Sequence, residues 1–180
     1  MRNCSSEKRV LAIDPNYCGF GYVLFEGPER LIDWGVTHVQ GVKNRASVAA
    51  AGHLISRYRP QLMVLEDVEA RRCLRRPRVR ELVQALERYG RERGLTVRKL
   101  AQTTVKKTFS PLGIRNKNQM ARSIAARVPE LARQVPPERK PWMSEDARMA
   151  LFDAAALALV ALNRAGATGR DAEDTERSAL

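Results

Sequence analysis

Residues 10–15 read Val10-Leu11-Ala12-Ile13-Asp14-Pro15, and glycines follow at Gly19 and Gly21. A run of strand formers ends abruptly in a carboxylate, and the proline after it has no N–H to give to a sheet ladder. Tyr22 to Glu26 reads as a second strand that returns after a short glycine-bearing link. An acid at the end of a buried strand sits on a rigid support. That is what a site needs if it must fix a metal ion within a fraction of an ångström.

Outward from this hairpin, Gly27-Pro28 makes a turn and Arg30 to Val39 alternates loosely as a third antiparallel strand. Arg45 to Arg59 is helical, with Val48, Ala51, Leu54, Ile55 and Tyr58 on one face, and Pro60 ends it. Leu62-Met63-Val64-Leu65 is a short apolar run, the pattern of a buried central strand. It ends in Glu66-Asp67. A helix over Arg75 to Arg93 presents Val79, Leu82, Val83, Leu86 and Tyr89 and stops at Gly94. Leu95 to Leu100 is a fifth strand. Thr103 to Thr108 is a short helical or loop segment, and Asn116 to Val128 is a helix. A loop with Pro129, Pro136, Pro137 and Pro141 follows. Ser144 then N-caps a last helix from Glu145 to about Asn163. Residues 166–180 are small and polar and read as a disordered tail, leaving 1–165 as one domain. This order predicts an α/β fold: a mixed five-stranded sheet with helices on both faces. The carboxyl ends of the first and fourth strands then lie side by side, at the edge where open α/β sheets place ligand sites.

The chain has 180 residues and a formal net charge of +12. Such a basic balance calls for a polyanion, nucleic acid first. No apolar run approaches the ~20 residues that span a bilayer, and no basic helix carries bulky aromatics opposite its charges, so no membrane partner is expected. Residues 1–8 are polar and read as no signal peptide. Cys4, Cys18 and Cys73 are odd in number and lack metal-ligand spacing, so a reducing, cytoplasmic setting is expected. His38 and His53 are isolated, Trp34 and Trp142 read as packing residues, and no Ser-His-Asp or Cys-His arrangement presents itself.

The carboxylates carry the chemistry. Asp146 and Asp153 stand seven residues apart, two turns of the expected last helix, and so share its face. The run Ala154-Ala155-Ala156-Leu157-Ala158-Leu159 lets that helix approach a sheet closely. An acid at the head of such an apolar run is costly unless paired or metal-bound. Asp14, Glu66 and Asp153 would then converge, with Asp146 as a candidate fourth ligand. Like charges that close repel, and an all-oxygen set suits Mg²⁺, with Mn²⁺ as a substitute. Two such ions suit phosphodiester hydrolysis. Asp67 and Glu69 alternate away from Glu66.

Arg71, Arg72, Arg75, Arg76, Arg78 and Arg80 crowd the segment right after Glu66. Between positions 71 and 140 there are 20 Lys and Arg against 5 Asp and Glu, so the net charge resides there. Such residues grip phosphates without reading bases, which favours recognition of shape or branching over sequence.

Taken together, these stretches resemble the RuvC-type Holliday-junction resolvases of the RNase H-like nuclease superfamily. "LAIDP" with "GFGYVLFE" resembles the first motif of that family. "RPQLMVLEDV" resembles the second, where a strand ends in a catalytic glutamate. "LAQTTVKKTFSPLG" and "NKNQMARSI" resemble its lysine-bearing segments, and "FDAAALALV" its last motif. The likeness spans roughly residues 8 to 163 in consistent order. It implies an RNase H-like fold and a homodimeric, Mg²⁺-dependent endonuclease that cuts four-way DNA junctions in recombination and repair. It implies Asp14, Glu66 and Asp153 as ligands of two ions per site. Lys106 and Lys117 would stand near the scissile phosphate, with Lys107 as a substitute for Lys106. The chain departs from the pattern in three places. Asn16 stands for a glycine, Ala150 stands where an acid or histidine precedes the last aspartate, and residues 67–72 hold no aromatic. A nuclease for RNA/DNA hybrid or structured RNA, and a catalytically silent nucleic-acid-binding module, are the alternatives.

Overall fold

Strict alternation along the first strand sends its side chains into two different cores. The structure, a computed structural model, describes residues 7–71, 73–138, 140 and 142–177, with side chains to residue 163. Its elements are β1 (Arg9–Pro15), β2 (Gly19–Glu26), β3 (Arg30–His38), α1 (Lys43–Tyr58), β4 (Leu62–Glu66), α2 (Pro77–Glu92), β5 (Thr96–Leu100), α3 (Gln102–Phe109), α4 (Lys117–Arg127) and α5 (Met149–Arg177), with 3-10 turns at Ser110–Leu112 and Pro129–Gln134. The strands form one sheet in the order β3-β2-β1-β4-β5. β1 pairs β2 and β2 pairs β3 antiparallel, while β4 runs parallel to both β1 and β5. The expected α/β architecture is therefore present: a mixed five-stranded sheet with helices on both faces.

Val10 and Ala12 of β1, with Leu62 and Val64 of β4, pack beneath α5, α4 and α3. Leu11 and Ile13, with Met63 and Leu65, pack beneath α1 and α2. Removing a Leu or Ile side chain of this kind from water contributes roughly 1.5–3 kcal/mol. With two such layers the central strands are buried on both sides, which explains their lack of polar alternation.

Three of the boundaries that differ from the sequence reading matter here. α2 begins at Pro77 rather than Arg75. Proline suits the first turn of a helix but drives the residue before it out of the helical region, and Arg76 is extended at φ −62°, ψ 151°. α5 begins at Met149, so Ser144 does not cap it. Instead the Asp146 carboxylate accepts from the Arg148 N–H at 2.9 Å, and the Asp146 carbonyl accepts from the Met149 N–H at 2.9 Å. This local turn competes with the helix, as aspartates do. At its other end α5 continues through Arg177, so 166–177 extend the helix where a tail was expected; 178–180 lie outside the described residues. Trp34 packs against the α5-side core, whereas Trp142 is 78% exposed and is no packing residue. No helix among the described residues is long and apolar enough to cross a membrane.

Candidate active site

The parity that builds the cores also places the acids. Val10, Ala12 and Asp14 share one face of β1, and Leu62, Val64 and Glu66 share the same face of β4. The parallel register pairs Ala12 with Val64 and Ile13 with Leu65, so Asp14 and Glu66 end adjacent strands one rung further on. Both are buried, at 2% and 7% exposure.

Asp153 arrives from α5, and a glycine lets it come close. Gly21 sits opposite Asp14 in the β1–β2 ladder. A Cβ on Gly21 would stand 2.2 Å from the Ala150 carbonyl carbon and 2.4 Å from the Leu151 nitrogen. The α5 backbone thus rests directly on β2 above the acid, and Asp153 follows Ala150 by three positions, on the same helical face. Asp14, Glu66 and Asp153 all line one cleft of about 350 Å³.

Among the described residues, two side-chain cations balance the three acids. Arg75 places Nε 2.6 Å from Glu66 Oε2 and Nη2 2.5 Å from Asp14 Oδ1, and its Nη1 donates to the Pro15 carbonyl at 3.3 Å. Lys117 opens α4 beside Asn116, whose side chain caps the helix by accepting from the Gln119 N–H. Its Nζ lies 2.8 Å from Asp153 Oδ2 and 2.8 Å from Glu145 Oε1. Burial pushes the Asp14 carboxyl well above its ordinary range; Arg75 opposes this, and Asp153 and Glu66 add to it. Burial likewise raises Asp153, with Lys117 pulling against it. For Lys117 burial alone would lower the ammonium, but Asp153 and Glu145 outweigh it and hold the proton on.

The remaining candidates divide. Lys106 lines the cleft from α3, and Lys107 is not among its lining residues. Asp146 does not share the helical face of Asp153, because it precedes α5. It pairs with Arg148 at 2.7 Å, which lowers its pKa, and lines an adjoining cavity with Asp14, Asp153 and Glu145. Arg71, Arg76 and Arg80 are exposed. Arg72 lies outside the described residues. Arg75 turns inward onto the acids, and Arg78 ties loops together: its guanidinium donates to the Asn16 and Tyr17 carbonyls at 2.9 and 2.8 Å and to Asn44 Oδ1 at 3.0 Å.

Three participants escape a reading of the sequence alone. One is Arg75 as a bridge between Asp14 and Glu66. Glu145 as the second partner of Lys117 is another. The third is Tyr17, 64% exposed beside the acids with Lys43 Nζ 3.8 Å from its ring centroid. Only the first leaves a trace in sequence: Pro77 bars residues 75–76 from the helix and frees Arg75 to fold back.

The donor set fits a hard divalent cation, being all carboxylate oxygen. As the side chains stand, no three His, Cys, Asp or Glu groups among the described residues are gathered to hold a metal ion. The guanidinium of Arg75 spans two of the three acids.

No family model matches the chain, and no curated protein matches it in sequence. Solved structures do match. Thermus thermophilus RuvC aligns at TM-score 0.57 and 21% identity over 84% of this chain and 92% of its own. The same protein in complex with a Holliday junction substrate aligns at 0.59 and 18% over 86% and 92%. The yeast mitochondrial Holliday junction resolvase Ydc2 aligns at 0.56 and 13% over 88% and 79%. With the strand order and the placement of its acids, the chain has the RuvC-like fold of the RNase H-like class.

Proposed function

We propose that this chain is a divalent-metal-dependent, structure-selective endonuclease that cleaves branched DNA, the four-way junction foremost. One observation carries the reading: acids from β1, β4 and α5, distant in sequence, converge in one cleft next to a basic, exposed segment. Asp14, Glu66 and Asp153 would hold Mg²⁺ or Mn²⁺, two ions per site, with Asp146 at the edge as a weaker candidate. When bound, such ions furnish a water nucleophile at neutral pH and neutralise the leaving oxygen. Lys117 orients the Asp153 carboxylate, and Lys106 offers a charge to the phosphate at the cleft wall. Arg71, Arg76 and Arg80 hold the backbone, and because such contacts carry no base code, selection rests on the shape of the branch. A homodimer would bring one cleft to each of two strands, serving recombination or repair within a reducing compartment.

Two observations favour the silent-module reading. Ala150 stands where an acid or histidine would complete the set, and no ready three-ligand cluster is present among the described residues. One assay separates the readings. A labelled four-way junction, a linear duplex and an RNA/DNA hybrid are each incubated with Mg²⁺ or Mn²⁺, and products are mapped on every strand. Metal-dependent nicks near the junction centre, lost in Asp14→Asn with binding retained, are expected. Cleavage of the hybrid alone points to the other substrate. Tight binding without nicks in either metal refutes the nuclease reading.

A further inference from the structure

Asp14 and Glu66 are bridged by one arginine, and the geometry bears on how an ion could reach them. We infer that Arg75 is a resident counter-cation: it holds Asp14 and Glu66 together while no divalent ion is present, and it must leave them before an ion can take both carboxylates. The inference rests on the metal-dependent reading above and adds a residue that competes with the metal.

The contacts set the competition. A planar guanidinium fork with Nε on Glu66 at 2.6 Å and Nη2 on Asp14 at 2.5 Å fills the gap that an ion shared by those two acids would occupy. Charge makes it necessary. Lys117 is committed to Asp153 and Glu145, so among the described residues Arg75 is the cation in direct contact with the two strand-end acids. Without it or an ion, two buried carboxylates would face each other unpaired. The support makes release feasible. Arg75 belongs to the extended segment before Pro77, outside α2, and its side chain is 25% exposed. Neighbouring Leu74 is 95% exposed, so the segment borders solvent. A freed guanidinium would remain next in sequence to the exposed Arg76, where a DNA phosphate could take it. Metal entry and backbone grip would then be linked through one side chain.

The test measures Mn²⁺ binding to the full chain without DNA, by titration calorimetry at pH 8, for the parent, Arg75→Gln, Arg75→Lys and Asp14→Asn/Arg75→Gln. Removing two charge-assisted hydrogen bonds should tighten Mn²⁺ binding by about tenfold or more in Arg75→Gln. Arg75→Lys, which keeps a charge but lacks the fork, should fall between. The double variant should lose the gain. Thermal unfolding supplies a second readout: Arg75→Gln should be less stable in EDTA and should gain more from Mn²⁺ than the parent. Should the Gln variant not fold in EDTA, the Lys variant decides alone. Unchanged or weaker Mn²⁺ affinity in a folded variant, or tighter binding that survives Asp14→Asn, overturns the inference. Unchanged affinity together with intact junction cleavage removes Arg75 from this role and leaves the nuclease reading standing. No Mn²⁺ binding in any of these chains, with no cleavage, removes both.

Discussion

Gly21 ties the sheet to the acids, and Gly21→Ala tests whether that tie is real. The added Cβ would sit 2.2 Å from the Ala150 carbonyl carbon, about 1.2 Å short of the 3.4 Å where ordinary contact begins. Its neighbours there are main-chain atoms of α5, not the flexible end of a side chain, so the helix itself must shift. Overpacking of this kind costs roughly 1–3 kcal/mol. At about 2–4 °C per kcal/mol for a chain of this size, Tm should fall by about 2–12 °C. Displacing α5 by about 1 Å carries Asp153 with it, and a misplacement of that size costs on the order of 10²-fold in rate. Thermal unfolding and junction cleavage with Mg²⁺ read the two effects. Gly35→Ala is the control, since the three atoms nearest its Cβ would all belong to the Tyr22 side chain, at 3.2–3.4 Å, and not to main chain. If Gly21→Ala melts within about 1 °C of the parent and cleaves within twofold, α5 does not depend on that contact and the argument fails; both bounds lie below the smallest effects expected from overpacking and misplacement.

Lys117→Met should leave Asp153 without its ammonium partner, lowering Tm by about 2–4 °C for the roughly 1 kcal/mol a partly exposed pair contributes. Cleavage should fall about 10²-fold with junction binding little changed, and equal cleavage rates would dismiss Lys117 from the reaction. Substituting serine for both Arg76 and Arg80 should weaken junction binding and flatten its salt dependence by about 0.9 for each phosphate no longer neutralised; a slope unchanged in titrations at several salt concentrations would place DNA elsewhere. Burial raises the Asp14 pKa, so the folded chain holds that proton more tightly than the unfolded one. This group's contribution is therefore full below its unfolded pKa and is lost as pH rises through the folded one. In EDTA, Asp14→Asn should accordingly gain in Tm relative to the parent from about pH 4 upward, and a difference that stays flat with pH would contradict the burial argument.

Two strand-end acids are legible in the sequence. The runs from Val10 and from Leu62 are apolar up to Asp14 and Glu66, but it is the parallel register, Ala12 beside Val64, that puts both acids on one face. The sheet order follows from the same pattern, because apolar runs this continuous belong in the centre and the three-strand meander supplies the antiparallel edge. Asp153 was legible as an acid before an Ala/Leu helix, though its depth over Asp14 was not; that depends on the close seat of Ala150 on Gly21. Asp146 leaves the face of Asp153 because residues 146–149 close a turn through local hydrogen bonds and α5 starts only at Met149. The most consequential contact, Arg75 across Asp14 and Glu66, joins residues 61 and 9 positions apart. Sequence marks that arginine as basic and near an acid. Which way a long, flexible cation points is decided by burial and by the unpaired charges it finds, and those exist only once the strands have come together.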